Sequence, residues 1–320
     1  MQSFWHKLPK PLFVQAPMED VTDAAFRRLI ARYGKPSVMF SEFTSADGLV
    51  LAPQEGKAKL LKKLLYSKEE KPIVAQLFTA VPENMETAAR LAAELGFDGI
   101  DINMGCPDKA VEKSGCGAAL IKNPSLAREL IRAAKKSGLP VSVKTRIGYN
   151  TDELDSWLPE LLAEEPAAIT IHARTRKEMS DVPARWDTVA RAVALRDSLG
   201  SKTLILGNGD VKDLNDARAK AAETKCDGVM LGRAVFGNPW LFANNDIVSR
   251  YEPKPNDRIA ALIEHLALFE ELLGDTVNYA TMKKHFKAYI SGWDGAKELR
   301  VRLMETDSAE EAAVILVESL

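Results

Sequence analysis

Residues 98–107 read Asp98-Gly99-Ile100-Asp101-Ile102-Asn103-Met104-Gly105-Cys106-Pro107. A short apolar strand ends near Asn103, and Cys106 follows in a turn, the position at which a barrel enzyme keeps its chemistry. Gly105 permits a tight turn and Pro107 stiffens it, so backbone fixes the thiol, which is not there for core filling. Other strand-like runs end in APM (16–18), VAQLF (74–78), VKTRIG (143–148), IHARTR (171–176), GNGD (207–210) and LGRA (231–234). So many polar tails behind apolar runs predict one shared site.

Working outward, strands are expected near Leu12 to Ala16, Val38 to Ser41, Ile73 to Leu77, Gly99 to Asn103, Val141 to Lys144, Ala168 to His172, Thr203 to Gly207 and Gly228 to Leu231. Most are short, rich in Val and Ile and nearly continuous in hydrophobicity, as strands covered on both faces must be. Helical patterns such as Asn84 to Leu95 and Pro124 to Lys136 lie between them, with apolar residues at three and four spacing. Strand then helix, eight times over, is the order of a TIM (β/α)8 barrel. A doubly wound open sheet competes, but no GxGxxG fingerprint follows an early strand.

The pattern changes at Pro253 to Asp257, a polar stretch read as a linker. Only helices are expected beyond it, at Ile259 to Leu273, Tyr279 to Ile290, Ala296 to Met304 and Ala309 to Val317, with Ser308 and Glu311 as a capping box. Two domains follow: a catalytic barrel over 1–245 and a C-terminal helical bundle over 253–320.

The chain of 320 residues is 46% apolar and 28% charged, enough for a sizeable core. Its net charge of −2 provides no global basic field, so a polyanionic partner must be met by a local patch. Cys106, Cys116 and Cys226 are odd in number and lack metal-ligand spacing, so they are read as reduced thiols of a cytoplasmic protein with no metal site. No stretch approaches the roughly 20 apolar residues needed to span a bilayer.

In a TIM barrel the phosphate site lies after the seventh and eighth strands, which here read Gly207-Asn208-Gly209-Asp210 and Gly232-Arg233. Glycine backbone N–H groups and the Arg233 fork make a phosphate cradle. Lys144 and Arg146 end the fifth strand and project toward the mouth, where an unpaired cation argues for an anionic partner. A flavin ring is one such partner for Lys144, and a Schiff base the alternative, although that leaves Cys106 and Gln76 unexplained. Gln76 and Asn103 offer paired donors and acceptors for a ring edge. His172 and Arg174 close the sixth strand, with His172 read as a ring or phosphate contact. For Cys106, general acid and nucleophile both stay open, while Cys116 and Cys226 are read as small buried residues.

Taken in order, APMEDVTDAAFR, SEFTSADGL, VAQLF, DGIDINMGCP, GAALIKNP, VSVKTRIG, HARTR, GNGDV and GVMLGRA resemble the tRNA-dihydrouridine synthase family, its bacterial B-type members in particular. KHFKAYISGWDGAKELR resembles that family's helical domain, so the similarity runs over essentially the whole chain. The resemblance implies an FMN enzyme that reduces the C5–C6 double bond of uridines in tRNA, with NADPH recharging the flavin. It implies that Cys106 protonates C5 while reduced FMN delivers hydride to C6. It further implies that Pro17, Met18 and Gln76 border the flavin ring, and that Lys144 and His172 bind FMN. Asn208, Gly209, Gly232 and Arg233 would hold its phosphate. Asn103, with Arg146 and Arg174, would meet the substrate uridine, which must leave its stack to be reduced.

Lys283, Lys284, His285 and Lys287, interleaved with Tyr279, Phe286 and Tyr289, make a basic stripe suited to tRNA phosphates. A second lysine stripe, Lys57, Lys59, Lys62 and Lys63, is read as solvated surface. The segment KEMSDVPARWD after HARTR lacks the glycine expected in many relatives, which leaves the part played by the 177–187 loop open. A monomer is expected, with no membrane partner. The competing functions are a dihydroorotate-dehydrogenase-like FMN oxidoreductase acting on a free pyrimidine, and a non-catalytic RNA-binding protein on a decayed barrel.

Overall fold

The computed structural model describes residues 3–243 and 252–320. Among the described residues there are nine strands: β1 (Leu12–Gln15), β2 (Met39–Phe40), β3 (Thr44–Ser45), β4 (Ile73–Phe78), β5 (Gly99–Met104), β6 (Val141–Arg146), β7 (Ala168–His172), β8 (Leu204–Asn208) and β9 (Gly228–Leu231). All pairings are parallel, in the order β1-β9-β8-β7-β6-β5-β4-β2. A bridge between Val14 and Val38 closes the ring. This is a TIM barrel, with the eight expected strands in place and one addition, the two-residue β3 against the end of β4.

Strand alternation divides the apolar side chains into two cores. Outward-facing Ile73, Ala75, Leu77, Ile100, Ile102, Val143, Ile169, Ile171, Ile205 and Val229 pack against the surrounding helices. Inward-facing Leu12, Val14, Phe40, Val74, Ala168, Leu204, Leu206 and Met230 fill the floor of the barrel around Trp5, which is fully buried. Toward the rim the inward positions turn polar, becoming Gln76, Asp101, Asn103, Ser142, Lys144 and Asn208. The expectation of nearly continuous hydrophobicity therefore holds for burial but not for chemistry, because the inner face near the mouth is built from polar residues.

Sequence-local signals fix the helices. Asp23 caps Ala24–Tyr33 by accepting from the Phe26 N–H, and Asn123 caps Pro124–Lys135 with Pro124 at the first position. The C-terminal helices run Pro255–Leu273, Ala280–Tyr289, Ala296–Met304 and Ala309–Val317. At the last of these Ser308 does accept from the Glu311 N–H, but Glu311 reaches back to the Asp307 N–H and not to that of Ser308. The expected barrel end at residue 245 and the first two residues lie outside the described residues. No described helix is long and apolar enough to cross a membrane.

Pro255–Leu273 lies along Ala24–Tyr33 through Leu262, Leu266 and Phe269, with the Phe26 ring stacked 5.1 Å from His265. Beneath that contact the fully buried Arg27 pairs with Glu70 at 2.8 Å and donates to the Thr22 carbonyl, so its charge is satisfied from several sides. Arg32–Glu264, Lys62–Asp275 and Lys284–Asp20 tie the helical region to the mouth side of the barrel. Lys62 and Lys63 are thus paired, Lys63 with Glu19, and are not a freely solvated stripe.

Candidate active site

Parallel register brings the polar inward residues together at the rim. Gln76 lies beside Asp101, Asn103 beside Lys144, Arg146 beside His172, and His172 beside Asn208. Cys106 joins them through a chain of amides: its N–H donates to Asn103 Oδ1 at 2.9 Å, and Asn103 Nδ2 donates to Gln76 Oε1 at 3.1 Å. The Cys106 carbonyl accepts from the Ala118 N–H, and a Cβ on Gly117, where φ is +60°, would sit 2.6 Å from that carbonyl oxygen. Hydrogen bonds with Asn103 and Ala118, with the close approach of Gly117, therefore hold the backbone that carries the thiol. Cys116 and Cys226 are buried.

A cleft of about 700 Å3 opens at this rim, lined by Pro17, Met18, Lys144, His172, Arg174, Asn208, Gly209, Gly232 and Arg233. Gly209 has φ +126°, and a Cβ there would approach Ala184 Cβ to 2.7 Å, so the loop admits glycine only. Trp186 supports it from behind by donating to the Gly209 carbonyl at 2.9 Å. Among the described residues, the N–H groups of Gly209, Asp210, Gly232 and Arg233 find no carbonyl partner. The half-buried Lys144 ammonium likewise makes no hydrogen bond or ion pair among them. Of these donors Gly209 is buried, Gly232 and Lys144 are half-buried, and Asp210 and Arg233 are exposed, so together they offer an anion entering the cleft a set of ready donors. Four backbone donors and the unpaired Lys144 ammonium lining one cleft fit an anion with a phosphate group, as FMN is.

The electrostatics favour the same reading. Desolvation, helped by Arg146, lowers Lys144 to about 8. Desolvation and four nearby cations hold His172 far below its ordinary value, so its ring is neutral. Arg174 donates to His172 Nε2 at 3.1 Å, and because arginine only donates, the ring proton is on Nδ1. Burial pushes the Cys106 thiol up, while a backbone hydrogen bond at Asp108 and the charges of Lys144 and Arg146 pull the other way; the net is upward, and the thiol keeps its proton near neutral pH.

Arg146 and Arg174 are at the site, but most of their donors already have partners. Arg146 donates to the carbonyls of Gly105, Thr175 and Met179, bracketing the Cys106 loop to the 175–179 loop. Arg174 holds the Val182 carbonyl and Asp210. Asp210 in turn accepts from the exposed Arg233, an association the sequence does not reveal. The segment without glycine closes by placing Met179 at φ +51°.

The basic stripe needs correcting. His285 is fully buried with Phe286 and Tyr289, its ring driven to about 3 by desolvation and 5.2 Å from that of Phe26. These three are core, because the helix turns that face toward Ala24–Tyr33. Lys283, Lys284 and Lys287 instead border an open groove of about 620 Å3 with Lys297, Arg300 and Val301 from the next helix. Lys297 and Arg300 lie in the quoted segment, but only the packing of the two helices brings them to this groove. Lys284 also pairs with Asp20 and Lys283 donates to the Met304 carbonyl.

Residues 14–320 match the family model described as dihydrouridine synthase (Dus). A "Probable tRNA-dihydrouridine synthase 2" of Bacillus subtilis (strain 168) is 41% identical, covering 98% of this chain and 96% of that protein. A "Probable tRNA-dihydrouridine synthase" of Staphylococcus aureus (strain COL) is 40% identical, covering 99% and 95%. Among solved structures, morphinone reductase superposes with TM-score 0.54 at 14% identity, covering 78% of this chain and 89% of that one. An old yellow enzyme homologue from Zymomonas mobilis gives 0.52 at 14%, covering 77% and 91%. At such identities these two speak for the fold alone.

Proposed function

Since the chain belongs to the dihydrouridine synthase family, we propose that it reduces the C5–C6 double bond of a uridine in tRNA, using bound FMN and NADPH as the electron source. The observation that carries this reading is the convergence, on one rim, of a protonated thiol and a cleft of unpaired donors. When bound and reduced by NADPH, the flavin supplies the hydride for C6.

The chain's own residues do the rest. Cys106 holds the proton that C5 receives, and solvent returns one to the thiolate, so hydride and proton together saturate the bond. Lys144 meets the pyrimidine end of the flavin ring, where negative charge collects on reduction. Pro17, Met18 and Gln76 would border that ring, and the neutral His172 would bind FMN with Lys144. The N–H groups of Gly209 and Gly232, with Asn208 and Arg233, hold the phosphate. Asn103 stands beside ring and uracil. Arg146 and Arg174 serve the substrate by shaping the loops around it.

The helical segment 253–320 holds the tRNA body through Lys283, Lys284 and Lys287, joined by Lys297 and Arg300, in contacts that salt screens. Cys106→Ala tests the chemistry: flavin and tRNA binding should persist while dihydrouridine formation falls about 100-fold or more, the range of a lost general acid. Turnover within a fewfold of the parent enzyme refutes the role of the thiol.

A further inference from the structure

Behind the rim, Asp101 is fully buried and belongs to neither the cleft lining nor the residues assigned above. Its Oδ1 accepts from Ser142 Oγ at 2.5 Å and its Oδ2 from Gln76 Nε2 at 2.7 Å. From there the bonds run one way: Gln76 Oε1 accepts from Asn103 Nδ2, and Asn103 Oδ1 accepts from the N–H groups of Gly105 and Cys106. An amide side chain has two ends of nearly equal size, so a neighbour that only accepts or only donates must decide which end points where. A carboxylate only accepts and a backbone N–H only donates. The two amides lie between these fixed ends, and both ends demand the same direction.

We propose that Asp101 is a positioning residue whose carboxylate sets the polarity of the Gln76–Asn103–Cys106 chain, so that the amide donors and the thiol reach the reacting centre in one arrangement. Burial raises Asp101 to about 6 against the hydrogen bonds from Ser142 and Gln76 and the charge of Lys144, which favour its ionised form, so at neutral pH the accepting carboxylate predominates. The spacing supports the assignment, since Asp101 and Asn103 are alternate inward residues of β5 and Asp101 lies beside Gln76 in register. The effect on uridine reduction rests on the function proposed above; the effect on Cys106 does not.

The test compares Asp101→Asn with Asp101→Leu in the flavin-loaded protein. The asparagine keeps an acceptor for Gln76 and gives Ser142 a donor, whereas the leucine leaves the Gln76 amide free to turn. Iodoacetamide alkylation of Cys106, resolved by peptide mass mapping from Cys116 and Cys226, should stay within about twofold of the parent for Asp101→Asn. It should change by roughly five- to tenfold for Asp101→Leu, the weight of one buried hydrogen bond. For dihydrouridine formation, kcat should follow the same order while KM for tRNA stays constant. Equal effects of the two variants, or none from either, overturn the proposal. Should Asp101→Leu not fold, Gln76→Met cuts the chain one link along, and an unchanged alkylation rate there also overturns it. A parent protein that makes no dihydrouridine would defeat the proposed function while leaving the alkylation comparison to decide on Asp101.

Discussion

The two ends of the barrel carry depressions of similar size, about 780 Å3 under the floor and about 700 Å3 at the rim, yet their charges are arranged in opposite ways. Under the floor, Asp227 accepts from both Lys10 and Arg196, and Arg196 also donates to the Thr203 carbonyl at 2.9 Å. At the rim, Lys144 and four backbone N–H groups lack partners among the described residues. Cleft volume therefore does not mark a site here; polar groups left wanting do.

The contrast breaks first at its strongest point. Arg196→Ala should lower unfolding stability by about 3 kcal/mol, because it leaves a mostly buried Asp227 with one partner fewer. FMN affinity, read by fluorescence titration, should not move; a tenfold loss would mean that the floor contributes to binding. Lys144→Ala should do the reverse, weakening FMN roughly 10- to 100-fold for the loss of a charge-assisted contact of about 1.5–3 kcal/mol. The melting temperature of its flavin-free form should hold or rise, since a desolvated cation is removed.

A third, smaller effect comes from pH. With Lys144 lowered from 10.5 to about 8, the unfolded chain binds more protons between those values, so its contribution to the stability of flavin-free protein rises with pH across that window. FMN affinity runs the other way, declining as pH passes about 8, and parallel titrations at pH 7 and 9.5 should give opposite trends. Smallest of all, Met179→Gly should gain about 0.5–1 kcal/mol in chemical denaturation by relieving φ +51°, net of the freedom glycine adds to the unfolded chain. A loss of stability there would show that the Met179 side chain is needed for packing.

Sequence alone revealed the scaffold well because β/α alternation is a local signal. Strands and helices fall within a few residues of expectation, as at Ala296–Met304 and Ala309–Val317. The rim residues were legible too, each being the polar tail of an apolar run. What could not be read was partnership. Arg146 looks like a substrate cation until folding brings the carbonyls of Thr175 and Met179 to it. His285 looks basic until the helix face that carries it meets Phe26. Trp5 gave no signal of its place beneath the strand residues of the floor, since one tryptophan in a four-residue helix has no periodicity to read.

That tryptophan has a kinetic consequence. With the barrel stoppered from below by Trp5, Leu12, Phe40 and Leu204, a flavin at the top is reachable only from above. On the proposed function, the nicotinamide that loads electrons and the nucleobase that removes them share a single doorway. They must take turns, and initial-rate plots against one at several fixed levels of the other should run parallel.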